Sequence, residues 1–169
     1  MLILDKISFK GEFTIRIRDA LSGRLLKEEH YKNLVCVGTQ TAVLRLMSQL
    51  TTPADYEQTK LWAIYCGTGT TPPTTSDTTL ETTVFKKACD TPFTVDLVAG
   101  YIEVQMTIES AEGNGNTITE AGLFSRGDNA DPNAGGISGV LMYTRQIHGA
   151  VAKTAAISVE YTWRFQVTV

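Results

Sequence analysis

The chain has 169 residues, of which 43% are hydrophobic, and its 18 acidic residues outnumber its 15 lysines and arginines to give a net charge of −3. This length fits one domain with a single core. The scattered basic residues argue against a protein that binds nucleic-acid phosphates, because such proteins concentrate their positive charge on one face. There is no long apolar run, and Asp5 interrupts what would be the apolar part of a signal peptide, so we expect a protein made in the cytoplasm without a membrane segment.

The first thirty residues are predicted to form a β-hairpin. Apolar and polar residues alternate from Phe13 to Asp19, which is typical of a strand with one buried face. Ser22-Gly23 supplies a turn, and Leu25 to His30 forms the returning strand.

One helix is predicted between Thr39 and Leu50, with Thr39 or Thr41 as its N-terminal cap after Gly38. The helix should end before Pro53, which disfavours helical angles in the residue before it. Its apolar residues recur at the spacing of one helical face: Val43, Leu46, Met47 and Leu50.

A Gly/Thr/Pro loop follows a buried strand from Leu61 to Cys66. A phosphate-binding loop would need a lysine and a Ser or Thr directly after the last glycine. Here Gly69 is followed by Thr70-Thr71-Pro72-Pro73, and proline has no N–H to offer an anion. We therefore interpret this stretch as an interaction loop formed by Gly67, Thr68, Gly69, Thr70, Thr71, Pro72 and Pro73.

Further strands are predicted from near Leu80 to Phe85, from Leu97 to Ile108 and from Ile157 to Val169. The last alternates over thirteen residues, and a strand of that length should lie inside the sheet or be covered by another copy of the chain. Tyr161, Trp163 and Phe165 share one face, opposite Arg164, which favours a core over a stack for single-stranded nucleic acid.

No pattern in the sequence points to catalysis. Cys36, Cys66 and Cys89 lie in or beside apolar runs without zinc-ligand spacing, so we expect reduced, buried thiols. His30 and His148 are isolated, and each is interpreted as a surface or loop histidine. There is no Gly-x-Ser-x-Gly nucleophile elbow. We therefore expect no catalytic residue, no metal and no cofactor.

Three groups of residues with side-chain oxygens have candidate roles other than nucleophilic catalysis. Glu120 lies in a segment that should be at least half buried, so we expect a structural ion pair with Arg145 or Lys153. Glu109 and Glu112 flank a Gly/Asn turn, where solvated charges are more typical than a glycosidase pair. The loop from Gly127 to Gly136 has calcium-type oxygen donors but not EF-hand spacing, and the default is a solvated loop; its donors are Asp128, Asp131 and Asn133.

The order of motifs resembles a group of small structural proteins of tailed bacteriophages, found among tail, fibre, baseplate accessory and head-surface proteins. The resemblance covers roughly residues 33 to 169. The matching motifs are Lys32-Asn33-Leu34-Val35 ahead of the helix, Ala63 to Cys66, Gly67-Thr68-Gly69, Ser76-Asp77-Thr78-Thr79-Leu80, Ile118 to Phe124, Leu141 to Arg145, Lys153, and the terminal strand with Trp163.

The resemblance implies a single-domain antiparallel β-sandwich, with residues 1–30 as an N-terminal hairpin leader, residues 33–169 as the body and one short helix at about 39–50. It implies a non-enzymatic virion component, assembled in the host bacterial cytoplasm, that forms homo-oligomers and docks to other virion proteins. A tail, fibre or baseplate accessory protein is the first interpretation and a capsid decoration protein the alternative. A carbohydrate-binding module for a host glycan is a further alternative, disfavoured because most aromatic residues fall on predicted buried faces.

Overall fold

The computed structural model describes residues 8–47 and 58–168, and in these ranges the protein is mainly β. The described elements are β1 (Ser8–Asp19), β2 (Leu25–Val35), α1 (Val37–Met47), β3 (Leu61–Gly67), β4 (Thr83–Ala88), β5 (Asp90–Asp96), β6 (Tyr101–Ile108), β7 (Thr117–Ser125), β8 (Met142–Ala152) and β9 (Ile157–Thr168).

All nine strands belong to one antiparallel sheet with the order β4-β3-β7-β8-β2-β1-β9-β6-β5. The sheet curls until it is nearly barrel-shaped. The mainly β, antiparallel prediction is confirmed, whereas the predicted sandwich is not, because strand β2 pairs with β1 along most of its length and then with β8 through Leu34 and Val35. One strand thus joins what would otherwise be two separate sheets.

A side chain bridges the remaining gap, between β4 and β6. Lys87 Nζ of β4 donates to the Thr107 carbonyl of β6 at 2.8 Å. The chain also passes from β4 to β5 through the single residue Cys89. These links hold the two edges of the sheet together, although no backbone pairing between β4 and β6 is seen among the described residues.

The main core fills the inside of this sheet. The predicted inward residues Phe13 and Ile15 are buried, and so are Tyr161, Trp163 and Phe165. Strand β9 lies between β1 and β6, which confirms that the longest alternating segment is internal. The hairpin of β1 and β2 is part of the same sheet, since β1 pairs with β9 from Ser8 to Asp19.

A second, smaller core lies on the outer face of strands β3 and β7. Ile64 and Cys66 belong to the main core, whereas Ala63 and Tyr65, which alternate with them, belong to the outer cluster with Phe124. Both faces of β3 are therefore buried, which explains why its sequence is a continuous apolar run.

Helix α1 begins two residues earlier than predicted, and neither predicted cap holds its N-terminus. The Thr39 hydroxyl donates to the Tyr143 carbonyl and the Thr41 hydroxyl to the Val37 carbonyl. The Val37 amide instead donates to the Thr75 carbonyl at 2.8 Å, so a distant loop satisfies it. The predicted C-terminal end at Leu50 lies outside the described residues.

Two other strand predictions need correction. The strand predicted from Leu97 begins at Tyr101, because residues 97–100 form the turn between β5 and β6. The strand predicted from Leu80 begins at Thr83, and Leu80 is instead buried in the outer cluster.

Candidate functional site

The loop between β3 and β4 closes over a fully buried carboxylate, that of Glu120 on β7. Glu120 shares the outer face of β7 with Phe124 and points under the loop. Its Oε1 accepts hydrogen bonds from the amides of Gly69, at 3.0 Å, and Thr82, at 3.1 Å. Its Oε2 accepts from the Glu81 amide at 3.3 Å. The carboxylate therefore supplies the acceptors for both ends of the loop.

Arg145 on β8 neutralises this carboxylate. Its Nε donates to Glu120 Oε2 at 2.8 Å, and its Nη1 donates to Asp77 Oδ2 at 2.7 Å. The Arg145 side chain is only 5% exposed, and three carboxylates compensate its charge, those of Asp77 and Glu120 and, at 3.7 Å from Nη2, that of Glu81. Burial alone would raise the pKa of Asp77, but hydrogen bonds from Thr74 and Arg145 outweigh it and leave that pKa lowered.

Of the two cations expected to pair with Glu120, the structure brings Arg145 to it and places Lys153 elsewhere. The Lys153 ammonium donates to Asn114 Oδ1 at 3.0 Å and to the Thr154 carbonyl at 2.9 Å. Burial lowers the pKa of Lys153. Lys153 thus holds the turn between β6 and β7, and has no part in the Glu120 cluster.

The glycines of the predicted interaction loop are needed for this close approach. A Cβ on Gly69 would lie 2.5 Å from Glu120 Oε1, and a Cβ on Gly67 would also collide with that oxygen. The amides of Thr70 and Thr71 both donate to Glu81 Oε2 at 3.1 Å. The Gly/Thr amides that resemble a phosphate cradle therefore already bind carboxylates of the chain itself.

The rest of the loop is tied down around Asp77. The Thr74 amide donates to Asp77 Oδ2 at 3.1 Å and its hydroxyl to Oδ1 at 2.6 Å. The adjacent Thr75 carbonyl accepts from the first amide of α1. Thr70, Thr71 and Pro72 remain exposed at the tip. The loop is a fixed connection that presents a short hydroxyl-rich tip.

The predictions named Glu120 and Arg145 but missed Asp77 and Glu81. Asp77 lies in the quoted Ser76-to-Leu80 motif, where Thr74 and Asp77 are spaced for a side-chain-stabilised turn, and this spacing was the available signal. Nothing in the sequence indicates that Glu81 folds back onto Thr70 and Thr71.

The other acidic groups also bind parts of the chain itself. Glu112 accepts from Lys87 Nζ at 2.7 Å and from the Glu109 amide at 2.9 Å. Asp128 accepts from the Ser138 amide and hydroxyl, and Asp131 accepts from the Asn133 amide. Among the described residues, no group of three or more His, Cys, Asp or Glu side chains is arranged to hold a metal ion.

The cysteines are buried as predicted, and all three are free thiols. Burial raises the pKa of Cys36 to about 11 and that of Cys89 to about 12, and it raises the pKa of Cys66 further. A nucleophilic cysteine requires a thiolate near neutral pH, so these environments favour inert side chains.

His148 does not lie on the surface or in a loop as predicted. It is a strand residue of β8, only 5% exposed, and its ring stacks on Phe13 at 6.0 Å between centroids. Burial lowers the pKa of His148 and so favours the neutral imidazole. His30 is exposed on β2, where its Nδ1 lies 3.0 Å from the Thr14 hydroxyl.

Comparisons with protein-family models, with curated proteins and with solved structures gave no match for this chain. In the described part of the chain, no helix combines the length and the apolar character needed to cross a membrane.

Proposed function

We propose that this chain is a non-enzymatic structural component of a tailed-phage virion, which acts by self-association and by docking to other virion proteins. A tail, fibre or baseplate accessory position is the first choice. The motif order described above supports this placement as a resemblance. The observation that carries the proposal of self-association is a pair of rigid turns that present large apolar side chains to solvent.

The first turn joins β1 to β2 and exposes Leu21, which is 98% accessible. Asp19 Oδ1 accepts hydrogen bonds from the Ser22 amide and hydroxyl, and Gly23 adopts a positive φ of 69°. These features fix the turn, so the Leu21 side chain points into solvent although it has no contact with the core.

The second turn joins β5 to β6 and exposes Leu97 and Val98, at 89% and 101% accessibility. Asp96 Oδ1 accepts from the amides of Val98 and Ala99 at 2.9 and 2.8 Å. A turn that is already ordered loses little conformational entropy when it binds, which favours its use as a contact.

The two turns lie at opposite ends of β9. The Ala20 amide binds the Ala156 carbonyl just before β9 begins, whereas Gln166 near its end donates to the Ala99 carbonyl. Different surfaces at opposite ends suit head-to-tail contacts between copies, which close into rings or continue as filaments. Weak contacts repeated in such an assembly give high avidity.

Antibody labelling of intact particles, combined with quantitative mass spectrometry of their copy number, tests the virion placement. We expect the chain in purified particles, at the low copy number of a tail, fibre or baseplate component. Hundreds of copies per particle would instead place it on the head as a decoration protein. Absence of the chain from particles would overturn the virion proposal.

A further inference from the structure

A pocket on the outer face of β3 and β4 has features that the assembly role does not use. It has a volume of about 310 Å³ and lies between the β3–β4 loop and the loop that precedes β8. Its lining includes Tyr65, Phe124 and Lys86, with Thr78, Thr79 and Ile137 around them.

The floor of the pocket is aromatic. The Tyr65 and Phe124 rings stack with their centroids 4.1 Å apart and their planes at 18°. Both residues are buried, at 8% and 2% exposure, so their positions are set by the outer core. The floor is therefore pre-formed: Phe124 stacks on the Tyr65 ring and the Lys86 ammonium lies over it, so an apolar group of a ligand contacts the accessible ring edge.

Three side-chain hydroxyls of the pocket make no hydrogen bond to the described residues. Tyr65 as a whole is more than nine-tenths buried, but its hydroxyl makes no hydrogen bond to a described residue. The hydroxyl oxygen itself is still accessible to solvent. The hydroxyls of Thr78 and Thr79 likewise make no hydrogen bond to the described residues. The Tyr65 hydroxyl is therefore open to the pocket, where it can donate a hydrogen bond to a ligand.

Lys86 supplies the charge. It is the cross-strand neighbour of Tyr65 on the same face, and its ammonium lies 4.8 Å from the Tyr65 ring centroid. Within the described residues Lys86 forms no ion pair, although the neighbouring Lys87 forms one with Glu112. No carboxylate is among the described residues that line the pocket, and Lys86 makes their net charge positive.

We propose that this pocket binds a small organic carboxylate with a flat apolar body. The carboxylate accepts hydrogen bonds from the Lys86 ammonium and the Tyr65 hydroxyl, while the apolar body lies against the accessible edge of the Tyr65 ring and the Ile137 side chain. Ligand sites typically combine apolar walls with a few convergent polar groups in this way. The inference does not depend on the proposed virion function.

Titration of the full chain with phenylacetate, followed by ligand-observed and aromatic-region NMR, tests the proposal. We expect saturable binding with a dissociation constant at or below roughly 1 mM and shifted Tyr65 ring signals. Phenylacetamide, a neutral analogue of the same shape, should bind about tenfold more weakly, because it lacks the charge that faces Lys86.

Three variants locate the site. Lys86→Met should weaken phenylacetate binding about tenfold and Tyr65→Phe about threefold, since each removes one donor and keeps the bulk of the side chain. Lys32→Met, a change to an exposed lysine on β2 outside this pocket, should leave binding unchanged. An unfolding curve for each variant shows that the fold is retained.

Several results would overturn the proposal. They are the absence of saturable phenylacetate binding up to about 10 mM, equal affinity for phenylacetamide, or unchanged affinity in the Lys86→Met variant. Equal binding of inorganic phosphate would show that the apolar floor contributes nothing, and would also contradict the proposed ligand class.

Discussion

Glu120 is the residue on which the β3–β4 loop depends. Its carboxylate binds three loop amides and Arg145 in a fully buried position. A buried ion pair is costly to break from one side, because the remaining charge stays buried without compensation. The role of Glu120 in the structure is therefore to fix the loop.

Replacement of Glu120 by glutamine tests this role. The variant keeps the size of the side chain, but its NH₂ group faces amide donors and Arg145 loses one of its counter-charges. We expect the free energy of unfolding in urea to fall by about 3 kcal/mol. Glu103→Gln, which breaks the exposed pair with Arg164, should cost less than about 1 kcal/mol. Equal losses in the two variants would contradict the structural role of Glu120.

His148 makes the stability of the fold depend on pH. Burial lowers its pKa, and the hydrogen bond with the Gly149 carbonyl and the nearby Glu29 only partly offset this effect. Below the ordinary pKa of 6.5 the unfolded chain binds a proton that the folded chain excludes. Stability therefore increases with pH through this window, up to about pH 6.5.

Unfolding curves at pH 5, 6 and 7 measure this dependence for the wild type and for His148→Gln. The wild type should lose stability towards pH 5 at a rate of up to about 1.4 kcal/mol per pH unit. The glutamine variant should show a flatter profile. An unchanged slope in His148→Gln would assign the effect to other groups.

At the scale of the elements, the β3–β4 loop requires glycine at position 69. A side chain there would meet Glu120 Oε1 at 2.5 Å and the Glu81 Cβ at 2.6 Å. We expect Gly69→Ala to displace the loop, to reduce stability by about 2 kcal/mol and to increase amide hydrogen exchange in the loop. Gly135→Ala is the matched control, because its Cβ would have no neighbour within 4 Å. If the loop amides of the Gly69→Ala variant exchanged as slowly as those of the wild type, the anchoring of the loop by Glu120 would be contradicted.

The strands that the sequence predicts well are those in which one face alone is buried. Strand β9 alternates cleanly, and its predicted start at Ile157 agrees with the structure. Strand β5 escaped prediction because Pro92 interrupts a short and mostly polar run. Strand β8 was also not predicted, since its polar residues, among them His148, resemble those of a surface segment until the sheet buries them.

The candidate site, too, could be predicted only in part from the sequence. Burial of Glu120 could be inferred from its apolar neighbours along the chain. The roles of Asp77 and Glu81 could not, because they depend on a loop that folds back across β7 and β8. The sequence also could not show that Lys86 has no ion-pair partner among the described residues, because that depends on the fold.

At the scale of the whole molecule, the sheet is nearly closed, and the outer face of β3 and β7 is covered by loops. Most buried polar groups of the described residues bind other parts of the chain, and the four exceptions are single atoms of Asn33, Arg145, Thr162 and Trp163. The conspicuous features left exposed are the apolar turns at opposite ends of β9. These exposed turns are the surfaces on which the proposed self-association rests.

Sedimentation velocity over a concentration series tests the central claim, which is that the chain self-associates through these turns. Up to roughly 1 mM, where contacts worth only about 4 kcal/mol become populated, the wild type should grow beyond the 18.5 kDa of a single chain. The double variant Leu97→Ser/Val98→Ser should remain at the mass of one chain, whereas Leu44→Ser, an exposed position on α1, should behave as the wild type. A wild-type protein that stays at 18.5 kDa over the whole range, or a double variant that associates equally well, would contradict the claim.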